Sequence, residues 1–144
     1  MSTTTLTCPN CNATNRVPTE RLGDGPKCGK CKERLFQGKA IELKDNNVDA
    51  ILANTSIPVL VDCWAPWCGP CKSFAPVFEA AAQQLEPRVR FAKLNTENEQ
   101  EIGSLWGIQS IPTLILFREG REAARMSGAM PLNQLKQWLI QQGV

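Results

Sequence analysis

The cysteines carry most of the chemistry that this sequence can offer. There are seven of them, and histidine is absent from the 144 residues. Without histidine the chain cannot form a Ser-His-Asp triad, a Cys-His catalytic pair or any metal site with an imidazole ligand. Six cysteines fall into three Cys-x-x-Cys pairs and one stands alone: Cys8/Cys11, Cys28/Cys31, Cys68/Cys71 and the single Cys63.

The first two pairs have the spacing of a metal site. They are separated by residues 12–27, which fits the C-x₂-C-x₁₅₋₂₀-C-x₂-C zinc pattern. Two such pairs supply four thiolates, a closed tetrahedral set of ligands for one structural zinc ion. The spacing leaves two disulfides, four unligated thiols or an iron site as alternatives. We predict that zinc is bound by Cys8, Cys11, Cys28 and Cys31.

The third pair lies in the run WAPWCGPCK over residues 64–72, where a buried strand gives way to a helix. Free N–H groups and the helix dipole stabilise a thiolate at a helix N-terminus. Cys68 comes first, at the exposed end, and is expected to be the nucleophile. Cys71 lies one turn further in and is expected to be the resolving thiol. A metal half-site and a buried structural pair are the alternatives, but no further ligand lies nearby in the sequence.

Strand and helix patterns alternate after residue 40. The apolar, largely β-branched run at 58–64 predicts a central buried strand, and apolar residues at helical spacing follow Pro70. This alternation ends in a hairpin, which predicts an α/β fold with a mixed central sheet flanked by helices. The other predicted strands lie at 40–43, 89–94, 113–117 and 122–127, and the other helices at 47–54, 99–105 and 131–139.

The front segment differs from the rest of the chain because it has few large apolar residues. About forty residues of this composition cannot form a sufficient core alone. Zinc binding contributes about 10–16 kcal/mol in small finger peptides, which is the stabilisation that this segment lacks. We therefore predict a zinc-ribbon domain at 1–38 and an α/β domain at 39–144, with separable stabilities.

Charge and hydropathy exclude several function classes. The net charge of the chain is +2, far from the strongly basic balance of a general nucleic-acid-binding protein. No run approaches the roughly 18 consecutive apolar residues of a membrane span. The first residues lack the basic and apolar regions of a signal peptide. We expect a cytoplasmic protein with no membrane partner, in a compartment that keeps thiols reduced. Residues 1–44 carry a net charge of +4, which leaves zinc-dependent nucleic-acid binding as an alternative, but four zinc-bound thiolates would halve this excess.

The central motif resembles the thioredoxin family. The resemblance rests on WCGPCK, with Val61-Asp62 before it and the run SIPT at 110–113 after it. The added cysteine pairs are similar to the N-terminal module of the bacterial thioredoxin 2 group. The resemblance covers essentially the whole chain and implies a thioredoxin fold with a small four-cysteine zinc ribbon. It implies that Cys68 and Cys71 are the redox pair and that Pro112 follows a cis peptide bond facing their disulfide.

The resemblance assigns further residues one at a time. It implies that Asp62 is a buried carboxylate that helps to move the proton of Cys71. Trp67 matches the aromatic residue that flanks the nucleophile, Lys93 the lysine near the carboxylate, and Gly128 a glycine bordering the substrate groove. Each has a plainer alternative: a satisfied carboxylate at a strand end for Asp62, ordinary core for Trp67 and a solvated edge residue for Lys93.

The seventh cysteine departs from the family pattern. Cys63 stands where thioredoxins usually have an aromatic residue. Because successive strand residues face opposite sides of a sheet, Cys63 should point away from the side of Asp62 and the redox pair. We expect it to lie in the core behind the sheet as a small hydrophobic residue without a catalytic role.

The resemblance implies a protein disulfide reductase with a dithiol–disulfide cycle. An NADPH-dependent flavoprotein, thioredoxin reductase, would recharge it, and its substrates would be proteins bearing disulfides. The Gly69-Pro70 dipeptide between the cysteines resembles the reducing members of the family. A monomer is expected. The alternative function is a zinc-dependent chaperone or binding module that the redox pair switches.

Overall fold

The N-terminal part of the chain forms a two-stranded ribbon. A computed structural model describes residues 2–144, so Met1, the first residue of the predicted 1–38 domain, lies outside the described residues. Strand β1 (Thr3–Thr7) pairs antiparallel with β2 (Thr14–Pro18), and a 3₁₀ helix follows over Thr19–Asp24. Neither strand was predicted, because their many polar residues give no alternating apolar pattern.

The ribbon has only a small apolar core. Leu6, Val17 and Leu35 are buried together with Cys8 and Cys28. Three aliphatic side chains bury too little surface to offset the ordering of the backbone, which costs about 1–2 kcal/mol per residue. The packing therefore agrees with the predicted need for a further source of stability in this segment.

Five strands form the central sheet in the order β3-β5-β4-β6-β7. The central strand β4 (Val59–Trp64) runs parallel to β5 (Arg90–Asn95) and antiparallel to β6 (Thr113–Arg118). The edge strands are β3 (Ile41–Glu42), parallel to β5, and β7 (Arg121–Ser127), antiparallel to β6. The predicted mixed sheet is thus confirmed.

Helices cover both faces of this sheet. They are α1 (Val48–Ala53), α2 (Gly69–Leu85), α3 (Gln100–Leu105) and α4 (Leu132–Gln141). Within residues 2–144, none of the helices combines the length and apolar character that a membrane crossing requires.

Alternate residues of β4 face two separate cores. Leu60 packs on one side with Phe74 of α2 and Leu135 of α4. Val61 and Cys63 pack on the other side, in the cluster that contains Ile51 of α1. Cys63 therefore lies behind the sheet as predicted, and Asp62 shares the face of Leu60, towards the helix that carries Cys71.

Hydrogen bonds join the ribbon to the α/β part of the chain. The Ser56 N–H donates to the Thr5 carbonyl oxygen, and the Thr5 N–H donates to Ser56 Oγ, each at 2.9 Å. Thr7 Oγ1 donates to the carbonyl oxygen of Ala50 at 2.8 Å. Ile57 packs against the ribbon core. The two predicted domains are therefore in contact along β1.

A buried ion pair lies at the same junction. Arg90 is only 2% exposed and is the largest fully buried side chain. Its Nη2 donates to the Leu35 carbonyl oxygen at 2.5 Å, and its guanidinium lies 4.6 Å from the centre of the Phe36 ring. Its partner is the Glu86 carboxylate, whose Oε2 lies 3.7 Å from Arg90 Nη1. The Oε1 atom of Glu86 accepts a hydrogen bond from the Gly38 N–H at 3.1 Å. This pair attaches β5 to the last residues of the ribbon segment.

Candidate active site and metal centre

Helix α2 begins at the third cysteine pair because its first residues suit a helix N-terminus. Cys68 is the N-cap in an extended conformation, and its Sγ accepts a hydrogen bond from the Cys71 N–H at 3.2 Å. Pro70 lies in the first turn, where its missing N–H removes no bond of the helix. The predicted helix start is confirmed, and Cys71 lies one turn inside it.

Cys68 and Cys71 are joined by a disulfide with their Cα atoms 5.2 Å apart. The two residues are 4% and 2% exposed, so the expectation that Cys68 lies at an exposed end is wrong for this oxidised form. Both cysteines are buried because they pack against Trp64, Ala65 and Ile111. Access to the sulfurs therefore depends on the surface immediately around them.

An open groove begins beside the disulfide. Trp67 is 69% exposed, which rules out the alternative that it is ordinary core. A cleft of about 420 Å³ lies between this ring, α3 and the segment 108–111 that precedes β6. The side chains that line it are uncharged, namely those of Trp67, Thr96, Gln100, Ser104, Ile108, Gln109, Ser110 and Ile111.

The Ile111–Pro112 peptide bond is cis, as predicted. The carbonyl oxygen of Ile111 lies 3.8 Å from Cys68 Sγ. The next carbonyl oxygen, that of Pro112, accepts a hydrogen bond from the Gly128 N–H at 2.8 Å. The structure thus brings the Cys68–Cys71 pair close to the cis peptide bond, and a hydrogen bond links the residue after that bond to Gly128.

Asp62 is a buried carboxyl group with an unfilled hydrogen-bonding capacity. It is 1% exposed, and within residues 2–144 its Oδ1 has no hydrogen-bond partner. Burial raises the pKa of Asp62 to about 7, because the charged carboxylate is poorly solvated there, although the Lys93 ammonium acts in the opposite direction. The alternative of a strand-end carboxylate fully satisfied by the described protein groups is therefore wrong.

Lys93 lies beside Asp62 in the sheet, since the two residues are paired in the parallel register of β4 and β5. Its Nζ lies 4.9 Å from the centre of the Trp64 ring, at cation–π distance. Because β5 lies between β3 and β4, Lys93 is half-buried and is not on an edge strand. The alternative of a solvated edge lysine is therefore wrong as well.

Four cysteine sulfurs converge in the ribbon. The Sγ atoms of Cys8, Cys11, Cys28 and Cys31 all lie within 4.8 Å of one another, and two pairs across the cluster are 3.6 Å apart. Tetrahedral zinc with Zn–S bonds of about 2.3 Å places its sulfurs about 3.8 Å apart. These dimensions fit a closed four-thiolate site.

The two halves of this cluster have the same backbone geometry. The Cys8 N–H donates to the Ala13 carbonyl oxygen, and the Cys28 N–H donates to that of Glu33, each at 2.8 Å. The turns are completed by Asn12 and Lys32 in the left-handed region, with φ of 64° and 69°. Each Cys-x-x-Cys pair thus lies in a tight turn that is closed by backbone hydrogen bonds.

Asn15 contacts the four-cysteine cluster, and the sequence analysis missed it. Its Nδ2 lies 3.4 Å from Cys28 Sγ, and its Oδ1 accepts a hydrogen bond from the Gly29 N–H at 2.9 Å. It therefore links β2 to the second cysteine turn and supplies an N–H to a sulfur of the cluster. An asparagine in a strand carries no sequence signal for this role.

Cys63 belongs neither to the disulfide nor to the four-cysteine cluster. It is fully buried, and burial beside Asp62 raises the pKa of its thiol to about 12. A thiol that stays protonated at neutral pH is a poor nucleophile. The lack of a catalytic role for Cys63 stays a prediction, and the burial and raised pKa of the thiol support it.

Comparison with protein families gives two matches. Residues 39–141 match the family model described as thioredoxin, and residues 7–33 match the model described as the N-terminal part of thioredoxin 2, a zinc ribbon. The first match alone covers more than half of the chain. The two matched ranges coincide with the α/β part and with the segment that contains the four-cysteine cluster.

Individual thioredoxins are similar to this chain over most of their length. Thioredoxin C-3 of Corynebacterium nephridii is 44% identical over 137 residues, which cover 95% of this chain and 94% of that protein. Thioredoxin 1 of Nostoc is 41% identical over 100 residues, covering 69% of this chain and 94% of that protein. Thioredoxin of Haemophilus influenzae is 37% identical over 103 residues, covering 72% and 96%.

Proposed function

The chain belongs to the thioredoxin family and is a thioredoxin-type protein disulfide reductase, and from this premise we propose how its own residues perform the reaction. The Cys68 thiolate attacks one sulfur of a substrate disulfide, and the other substrate sulfur leaves as a thiolate. The Cys71 thiolate then attacks Cys68 Sγ in this mixed disulfide. The second substrate sulfur leaves, and the Cys68–Cys71 disulfide remains. The observation that supports this proposal most directly is the Cys68–Cys71 disulfide, which lies at the start of α2 and beside an open groove.

The order of attack follows from the helix N-terminus. Cys68 Sγ receives the Cys71 N–H, a backbone donor that stabilises negative charge on sulfur. Cys71 lies inside the first turn and lacks an equivalent position at the helix end. We therefore assign Cys68 as the nucleophile and Cys71 as the resolving thiol.

Asp62 is assigned to proton transfer in the second step. A group with a pKa of about 7 can both accept and release a proton near neutral pH. Asp62 faces the helix layer that carries Cys71, so it can take the proton of the resolving thiol. Lys93 limits the rise in the pKa of Asp62 and so keeps the carboxyl group in this range.

Substrate contact is assigned to the groove beside the disulfide. Trp67 offers an exposed ring next to the nucleophile. The segment 108–111, which ends at the cis bond to Pro112, forms the opposite side of the groove. A substrate strand lying between them would bring its disulfide to Cys68. The uncharged lining suits segments that bind through backbone and apolar contacts.

The reaction needs an electron donor and a disulfide acceptor. We assign the donor role to an NADPH-dependent thioredoxin reductase, which returns the Cys68–Cys71 disulfide to the dithiol. Proteins bearing accessible disulfides are the acceptors. This cycle favours a monomer working in the cytoplasm, where reducing equivalents are available.

We assign one structural zinc ion to the four-cysteine cluster. Four thiolates leave no open coordination position, so the bound ion would cross-link the two cysteine turns and take no part in the redox step. The cross-link replaces the hydrophobic stabilisation that the ribbon core lacks.

Reduction of insulin with NADPH and thioredoxin reductase tests the proposal. We expect turnover by the parent chain, none for Cys68→Ser, and a trapped mixed disulfide for Cys71→Ser. Cys63→Ala is the matched control, since it removes a buried thiol from the opposite face, and it should retain turnover. Turnover by Cys68→Ser would refute the assignment. A parent that binds unfolded proteins without reducing insulin would favour the alternative of a chaperone or binding module.

A further inference from the structure

The guanidinium of Arg125 on β7 is fixed by two groups of partners. Glu122 holds it through two hydrogen bonds, from Nε to Oε2 at 2.9 Å and from Nη2 to Oε1 at 2.7 Å. The same Nη2 donates to the Trp106 carbonyl oxygen at 2.6 Å, and Nη1 lies 3.5 Å from the Gly107 carbonyl oxygen. Arg125 therefore joins the edge strand to the segment that leaves α3.

A β-bulge makes this arrangement possible. Residues three apart on a regular strand face opposite sides of the sheet, so Glu122 and Arg125 would not normally meet. The register of β6 with β7 shifts between Leu116 and Phe117, and Ala123 is left without a partner. This extra residue reverses the alternation and brings Glu122 and Arg125 to one side of the sheet.

The segment held by Arg125 forms one wall of the groove. Trp106 ends α3 and packs its ring 5.1 Å from that of Phe117, and Gly107 turns the chain with a φ of 66°. Residues 108–111 follow at once, line the groove and end at the carbonyl oxygen near Cys68 Sγ. The position of this wall relative to the nucleophile thus depends on where the carbonyl groups of Trp106 and Gly107 are anchored.

We propose that Arg125 is a positioning residue for substrate binding: through Glu122 and the carbonyl groups of Trp106 and Gly107, it fixes the groove wall at 108–111. This inference rests on the proposed function of the groove. Arg125 does not line the groove, so it acts only through the segment that it holds. Its loss should weaken the binding of a substrate long enough to occupy the groove, while the sulfur chemistry of Cys68 should be unaffected.

The test compares a large and a small disulfide substrate. With reductase and NADPH saturating, insulin and bis(2-hydroxyethyl) disulfide are each varied for the parent, Arg125→Ala, Arg125→Lys and Arg121→Ala. Arg121 is the matched control, an exposed arginine on the same strand. For Arg125→Ala we expect the KM for insulin to rise about three- to tenfold, as for the loss of one hydrogen bond of ordinary strength, with kcat unchanged.

The small disulfide does not fill the groove, so its rate should stay at the parental value. Lysine can reach one carbonyl oxygen but cannot also pair in a bidentate way with Glu122. The KM of Arg125→Lys for insulin should therefore lie between those of the parent and Arg125→Ala. An unchanged KM for insulin in Arg125→Ala overturns the proposal. An equal loss with both substrates also overturns it, because that result would indicate general destabilisation. A parent that reduces neither substrate would contradict the proposed function itself.

Discussion

At the scale of single residues, Asp62 combines the proposed role in proton transfer with a cost in stability at neutral pH. The carboxyl group is buried without a hydrogen-bond partner for Oδ1 in the described part of the chain. Its pKa rises from an ordinary value of 3.8 to about 7 on folding. Between these values the folded chain keeps a proton that the unfolded chain has released. The stability contributed by protonated Asp62 is therefore complete below about pH 4 and is lost as the pH rises through 7.

We predict that Asp62→Asn stabilises the fold at alkaline pH. Because an amide cannot ionise, the variant should exceed the parent in free energy of unfolding by roughly 2–4 kcal/mol at pH 8. The difference should shrink as the pH falls from 7 to about 4, and it should vanish below 3.8, where the parental carboxyl group becomes protonated in both states. Urea unfolding of the two oxidised proteins at a series of pH values measures this difference. A difference that does not vary with pH would contradict the raised pKa of Asp62.

The same substitution should slow the reaction. Without a proton acceptor, the attack of Cys71 on the mixed disulfide should fall by about 100-fold, while the first attack by Cys68 is retained. Stopped-flow measurement of mixed-disulfide formation and decay separates the two steps. Equal decay rates for Asp62→Asn and the parent would exclude the proton-transfer role. Lys72→Ala, which removes an exposed charge near the pair, is the control.

The sequence could predict those site residues whose type and spacing form a known pattern. Cys68, Cys71 and the four ribbon cysteines were found by spacing, and Asp62 and Pro112 by resemblance to a family. Asn15 and Arg125 were not found, because their partners lie 13 to 19 positions away and are brought near only by the folded backbone. The exposure of Cys68 was also misjudged, because burial by Ile111 depends on a distant loop.

At the scale of elements, β5 connects the two cysteine centres. It starts at Arg90, which holds the end of the ribbon segment, and three residues later it presents Lys93 beside Asp62. An arginine between the apolar residues Val89 and Phe91 of a predicted strand was the one sequence signal for this role. Its partners Leu35 and Glu86 could not be identified without the structure.

We predict that Arg90→Met destabilises the chain although methionine fills much of the same space. The substitution leaves the Glu86 carboxylate and the Leu35 carbonyl oxygen without their buried partner, which should cost about 3 kcal/mol in free energy of unfolding. Arg88→Met is the matched control, since Arg88 is exposed and lies two residues earlier. Urea unfolding monitored by circular dichroism measures both variants. Equal midpoints for Arg90→Met and Arg88→Met would show that the pair contributes little.

The main elements themselves were predictable because their patterns are local. The central strand β4 is an apolar run that only Asp62 interrupts, and α2 follows the N-cap Cys68 with a proline in its first turn. The ribbon strands and the bulge in β7 were missed. The former are short and polar, and the latter depends on the register with β6, which no local pattern specifies.

At the scale of the whole molecule, the ribbon and the α/β part share an interface but have different sources of stability. The ribbon has three buried aliphatic side chains besides its cysteines, whereas two large clusters stabilise the sheet. The proposed zinc ion would therefore be needed by the ribbon and not by the sheet. The domain division at 38/39 stays a prediction. Arg90 and Ser56 contact the ribbon segment, so unfolding of the ribbon would remove their hydrogen bonds.

We predict that removal of zinc with a chelator unfolds the ribbon and loosens only its docking surface. Amide hydrogen exchange should become fast over residues 2–38 and faster near 56–57 and 86–90, while β4 and β6 keep their protection. Insulin reduction should persist at least in part. Zinc-reloaded protein, which should regain protection, is the control. Loss of all protection and all activity in a single transition would contradict this prediction.

The position of Trp64 gives the chain an optical consequence. Its indole packs in the same cluster as both redox cysteines, and Trp67 adjoins Cys68 in the sequence. A disulfide quenches the fluorescence of an indole in contact with it, and two separated thiols quench it less. The chain has four tryptophans and no tyrosine, so its ultraviolet emission comes from indole alone. The emission intensity should therefore rise when the disulfide is reduced, and each turnover can be followed without a dye or a coupled enzyme.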